Sequence, residues 1–212
     1  FGDWLGLLAT TALAQQLSGG DYAKANFAIA GVFIVRLLPA VILGPIAGVI
    51  ADRFDRRRLM IICDILRFAL YFSIPIVGNY FWLYTASILV ETVTLFWSPA
   101  KEATVPNIVP KEKLENANQV SLFAAYGTAP LAAATFSLLA LIAGAIASIL
   151  QLKNGSAADI ALYINALSFL FCAYTVFRLR DIPKGPITNG KSSSSVSGSL
   201  LEGWKFVSSS KV

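Results

Sequence analysis

With 212 residues, 56% of them apolar and 14% charged, and a mean hydropathy of +0.67, the chain is too apolar for a soluble globule, whose charged share is nearer ~25%. Its net charge of +5 sits in short segments beside apolar runs, where membrane topology and anionic headgroups account for it without any nucleic-acid partner. Histidine is absent, which excludes zinc sites of the usual kind and every His-based triad, and Cys63 and Cys172 both lie inside apolar runs, where free thiols rather than a disulfide, metal pair or cofactor site are expected.

A membrane-crossing helix needs about 20 residues, and an open strand cannot cross because lipid offers its backbone no partners. Six runs are predicted as spans: 1–17, 27–51, 58–78, 80–100, 117–150 and 158–178. Breakers separate them at Ser18-Gly19-Gly20, Gly78-Asn79, Pro106 to Pro110 and Asn154-Gly155-Ser156. The last of these is also a glycosylation sequon, read here as a turn. The fifth run is over-long, an excess that tilt or a short outer helix would absorb.

Charge placement orients these runs. Of 17 Lys and Arg residues, four fall in 52–58, three in 101–113 and six from Arg178 onward, whereas the alternate gaps hold only Lys24 and Lys153. By the positive-inside rule the basic gaps face the cytoplasm, or the stroma of a plastid. Six spans keep all three basic gaps on one side; adding or removing one interior span would split them. Residues 1–180 thus read as an all-α, multi-pass membrane bundle. Residues 181–199, with Pro183, Gly185, Pro186 and a serine run, read as a flexible cytoplasmic linker, and residues 200–212 as a short amphipathic segment. The start at Phe1, inside an apolar stretch, suggests a piece of a longer chain with a truncated first span.

Between the second and third runs, Gly44-Pro45-Ile46-Ala47-Gly48-Val49-Ile50-Ala51-Asp52-Arg53-Phe54-Asp55-Arg56-Arg57-Arg58 resembles the signature cytoplasmic loop of the major facilitator superfamily. Physically, Gly48 permits close helix approach, Asp52 can face helix N-termini or arginines, and the Arg cluster holds the loop at the headgroups. Asp55 departs from the pattern, which usually has a second glycine there. Phe96-Trp97-Ser98-Pro99-Ala100, Ala103, Pro106, Val109-Pro110, Leu114 and Ala117-Asn118 resemble the fourth-to-fifth span connection of the drug and siderophore exporters, and Gly2-Asp3-Trp4, Asp64 and Arg67 look like the same branch. The resemblance implies the amino-terminal six-helix half of a twelve-helix transporter, built from two three-helix inverted repeats, with Glu202-Gly203-Trp204-Lys205 leading toward a seventh span. It also implies a gating motif of Gly48, Asp52, Arg53, Arg56 and Arg57, and a carboxy-terminal six-helix half as partner.

Ionisable side chains within spans cost roughly 3 kcal/mol or more unless paired or hydrated, so each is a candidate for function. Arg36 and Glu91 stand at comparable depth in the second and fourth runs and are expected to pair, with Asp3 in the first run as the alternative partner, nearer the cytoplasmic side. These three are assigned to a substrate or proton pathway. Asp64 and Arg67, three residues apart on one helical face, are expected to satisfy each other or to reach the basic loop, bracing a gate. Gly127-Thr128-Ala129-Pro130 suggests a helix bend at Gly127 and Pro130, while Tyr71, Tyr80, Trp82, Tyr84, Trp97 and Tyr126 read as interfacial anchors or packing.

These features point to a secondary transporter that exports small amphipathic molecules by alternating access, driven by protons. Two other readings are a lysophospholipid facilitator and a non-transporting membrane subunit of a larger complex. No nucleophile or metal constellation suggests an enzyme. A bacterial cytoplasmic membrane is the expected location, with a plastid inner envelope or thylakoid as the alternative.

Overall fold

The computed structural model describes residues 1–51, 54–150 and 156–179. These form helices α1 (Gly2–Leu17), α2 (Tyr22–Ala51), α3 (Arg56–Val77), α4 (Tyr80–Ile108), α5 (Leu114–Leu122), α6 (Ala129–Leu150) and α7 (Ala157–Arg178), with a 3₁₀ turn at Lys111–Lys113 and a π-turn at Phe123–Gly127. No strand occurs among the described residues. Among the described residues, four stretches are long and apolar enough to cross a membrane: Tyr22–Gly44, Arg56–Val77, Lys111–Ala145 and Ala157–Arg178. Helix α1, at 16 residues, is shorter than the usual span, and α4 dilutes its apolar residues with Tyr, Thr, Ser and Glu91. The chain is an integral membrane protein, all-helical among its described residues.

Local chemistry sets the helix ends. Asp21 Oδ1 accepts the N–H groups of Ala23 and Lys24, so α2 begins five residues before the predicted run. Asp55 caps α3, its Oδ1 accepting the Arg58 N–H at 2.9 Å, and Asn79 caps α4 through the Trp82 N–H at 2.8 Å. Gly78 ends α3 in the left-handed region at φ 58°, where a side chain would be strained. Helix α4 continues through Pro99 to Ile108, past the predicted end at residue 100. The over-long fifth run is divided: the π-turn separates α5 from α6. The linker predicted at 181–199 and the segment at 200–212 lie outside the described residues.

Helix α1 is the hub, packing on α2, α4, α6 and α7; α3 packs on α4 and α7, and α2 on α4. Leu5, Ala9, Leu13 and Ala14 of α1 are buried with Ala28, Val32, Ala86, Ala132, Ala161 and Ala166 of its neighbours. Small residues at these crossings let backbones approach closely, which matters in lipid, where apolar burial gives no hydrophobic drive. Phe27, Val41, Phe81, Phe123, Leu141 and Phe171 point outward and are exposed, as a surface solvated by lipid or by another helical unit requires.

Two sets of contacts define the ends of the bundle. At one end Arg56 Nη1 donates to the Ala103 carbonyl at 2.9 Å, and Arg57 donates to the carbonyls of Val176 and Phe177. At the other, Ser18 Oγ and Tyr80 Oη share a hydrogen bond at 2.8 Å, and Ser156 Oγ bonds Gln16.

Candidate functional site

Three helices bring the predicted intramembrane charges together. Arg36 of α2 and Glu91 of α4 form an ion pair, with side-chain exposures of 14% and 21%. The pair lines a cavity of about 290 Å³ together with Asp3, Trp4 and Leu7 of α1 and Phe33 and Leu37 of α2. Asp3 is therefore a wall residue of the same cavity, and it makes no ion pair within 4 Å among the described residues. One guanidinium and two carboxylates amid aromatic and aliphatic walls can hold a molecule with an apolar body and a polar or charged group.

A second charged cluster lies on α3. Asp64 and Arg67 are fully buried and 3.4 Å apart. Trp97 Nε1 donates to Asp64 Oδ2 at 3.3 Å, and the Arg67 guanidinium is sandwiched between the rings of Trp97 (4.6 Å) and Phe169 (4.9 Å). Arg67 thus pairs with Asp64 rather than reaching the basic loop. Its Nε and Nη2 have no hydrogen-bond partner, so the pair is held by charge and ring faces rather than by a fork of hydrogen bonds. Asp3, Asp64, Arg67, Trp97 and Cys172 line a further cavity of about 250 Å³. Asp3 borders both cavities.

The arginines of the loop reach neighbouring helices. Arg56 meets α4, and Arg57 meets the last turn of α7, where it also lies over the Phe177 ring at 5.6 Å. Free carbonyls at a helix C-terminus are favourable sites for a cation. Asp52 and Arg53 lie outside the described residues; Gly48 falls within α2. Asp55, which breaks the usual loop pattern, is the N-cap of α3. Of the proposed bend, Gly127 closes the π-turn and Pro130 opens α6, so the irregularity begins at Phe123, ahead of the predicted pair.

Sequence reasoning gave three side chains no place in the site. Tyr71, read as an interfacial anchor or packing, is a packing residue: it is 2% exposed, stacks on Phe169 at 5.5 Å and lies in the field of Arg36, Asp3 and Glu91. Asn165 of α7 is fully buried, with neither amide atom partnered. Trp4, a cavity wall residue, donates its indole N–H to the Ala125 carbonyl at 2.7 Å. An Asn amid apolar residues of the sixth run was the one available signal. No group of three or more His, Cys, Asp or Glu suited to a metal occurs among the described residues, and Cys63 and Cys172 are free thiols.

Residues 3–212 match the family model described as Major Facilitator Superfamily. The chain is 31% identical over 123 residues to the uncharacterized MFS-type transporter YfiS of Bacillus subtilis, covering 57% of this chain and 28% of that protein. It is 29% identical over 153 residues to the putative bacilysin exporter BacE of Bacillus subtilis, covering 71% and 35% respectively. With macrolide efflux protein A of Streptococcus pyogenes it shares 33% identity over 86 residues, covering 38% and 21%. The chain thus spans about a third or less of these relatives' length. No solved structure matches it. With the match running over nearly all of its residues, the chain belongs to the Major Facilitator Superfamily.

Proposed function

We propose that the chain is the amino-terminal six-helix half of an exporter for small amphipathic molecules, working by alternating access in a bacterial cytoplasmic membrane. The observation that carries this reading is the Arg36–Glu91 pair beside Asp3, in a cavity whose other walls are Trp4, Leu7, Phe33 and Leu37. Charges inside a membrane bundle are retained at a cost and mark a substrate or ion path. The relatives named as exporters of bacilysin and macrolides point the same way.

The six spans of this reading are α1, α2, α3, α4, the broken α5–α6 unit and α7. Packing supports two inverted three-helix repeats. Exchanging the first three spans for the last three turns the contact of α2 with α4 into that of α6 with α1, and that of α3 with α4 into that of α7 with α1. A second six-helix half of the same polypeptide would close the other side of the cavity. Gly48, Asp52, Arg53, Arg56 and Arg57, with Asp64 and Arg67, would form the cytoplasmic gate. The three carboxylates Asp3, Asp64 and Glu91 face two guanidiniums, Arg36 and Arg67, around the two adjoining cavities. That leaves one negative charge in excess, available to a cationic substrate or to the coupling proton. No covalent chemistry is assigned to the protein.

The test is efflux from proteoliposomes holding the whole protein, across cationic dyes, macrolides, siderophores and lysophospholipids, with and without a proton gradient. Gradient-dependent efflux of amphipathic cations is expected. Movement of lysolipids alone would replace export with lipid facilitation, and no flux of any compound would favour a non-transporting subunit.

A further inference from the structure

We infer that Trp4 is a positioning residue that ties the charged cavity to the break in the fifth span. Its ring is part of the wall that holds Asp3, Arg36 and Glu91, and its indole N–H holds the Ala125 carbonyl, 121 residues away and inside the π-turn. The reason this carbonyl takes a side-chain donor is local. In a π-turn the carbonyl of residue i looks to the N–H of residue i+5, and for Ala125 that residue is Pro130, which has none. Trp4 supplies the missing donor from α1. Thr128 Oγ1, bonded to the Ala124 carbonyl at 2.9 Å, serves the neighbouring group in the same turn.

One side chain therefore senses the cavity with its face and sets the fifth span with its edge. A body entering between Trp4, Phe33 and Leu37 displaces or tilts the indole, and the turn at 123–127 loses or keeps its partner accordingly. Single-turn π-bulges recur at functional sites in helices, and this one is clamped by a residue of the site itself.

Trp4→Phe keeps the aromatic wall and removes the donor. In the whole protein reconstituted in lipid nanodiscs, amide hydrogen exchange across residues 123–129 should quicken roughly five- to tenfold, the worth of one hydrogen bond, with α3 and α7 unchanged. Pro130→Ala supplies a backbone donor to Ala125, so adding Trp4→Phe to that variant should change exchange by less than about twofold. Unchanged exchange in Trp4→Phe, a rise spread over every helix, or an equal rise in the Pro130→Ala background would each overturn the assignment. Under the transport reading, Trp4→Phe should also lower the turnover of ethidium efflux with little change in KM. Absence of ethidium flux in the unaltered protein would count against that reading alone, because the exchange result needs no transported molecule.

Discussion

Arg36 and Glu91 cost free energy wherever lipid surrounds them, and their pairing offsets much of that cost only while both are present. Arg36→Gln leaves an uncompensated carboxylate in the cavity, which should destabilise the protein by roughly 2–5 kcal/mol. The double variant Arg36→Gln/Glu91→Gln removes both charges and should recover most of the loss, as read by thermal unfolding in detergent. Flux separates the roles: if the pair only braces α2 against α4, the double variant transports normally, whereas a substrate-facing pair leaves it folded and inactive. At the α1 crossing, Gly6 allows Tyr71 and Asn165 to sit against the helix. An alanine methyl there would lie 2.7 Å from Tyr71 Cζ and 2.8 Å from Asn165 Nδ2. Gly6→Ala should therefore cost about 1–3 kcal/mol by overpacking, with part of it regained in Gly6→Ala/Tyr71→Phe. The charges were legible in the sequence because they interrupt apolar runs. Gly6 was not, nor were the contacts of Tyr71 and Trp4, since an apolar run gives no signal of which of its residues another helix will touch.

Helix boundaries were legible where one residue's chemistry decides them and illegible where two signals compete. Gly78 and Asn79 marked the α3–α4 turn, and the structure uses them as C-cap and N-cap. Pro99 reads equally as a stop or as a tolerated kink, and packing of Ala100 and Thr104 in the interior lets α4 run on. Asp55 shows the same ambiguity: as a member of a loop pattern it is a departure, yet as the residue before three arginines it is an N-cap. Asp55→Ala should cost about 1 kcal/mol and speed hydrogen exchange in the first turn of α3, whereas Asp55→Asn should keep the cap. Loss of the cap would also loosen Arg56 and Arg57, which sit in that turn and reach α4 and α7. Equal exchange in Asp55→Ala and the unaltered protein would separate the cap from those contacts.

At the scale of the whole bundle, charge parity and geometry both bear on which helix ends lie together. The sequence places the basic gaps 52–58, 101–113 and 178 onward on a common face, from charge alone. The structure gathers Arg56 with Ala103, and Arg57 with Val176 and Phe177, at a common end, while Ser18, Tyr80, Gln16 and Ser156 meet at the opposite end. The two share Arg56 and Arg57, but the first counts charges between apolar runs and the second follows where their hydrogen bonds land. The proposed inverted repeat rests in the sequence on family resemblance alone, because its two halves would share contacts rather than residues. Orientation in lipid then admits a direct check. Single cysteines at Arg56, Lys111 and Lys24, in a background with Cys63 and Cys172 changed to serine, should fall into two groups with a membrane-impermeant maleimide. Lys24→Cys should react in intact cells, and Arg56→Cys and Lys111→Cys only after permeabilisation. Labelling of Arg56→Cys and Lys111→Cys from different sides would mean an odd number of crossings between them, and α3 and α4 would then not both span. The six-span bundle that frames the Arg36–Glu91 cavity would then be lost, and were α4 the helix that fails to cross, Glu91 would leave the membrane and the reading of the cavity as a transport site would fail with the topology.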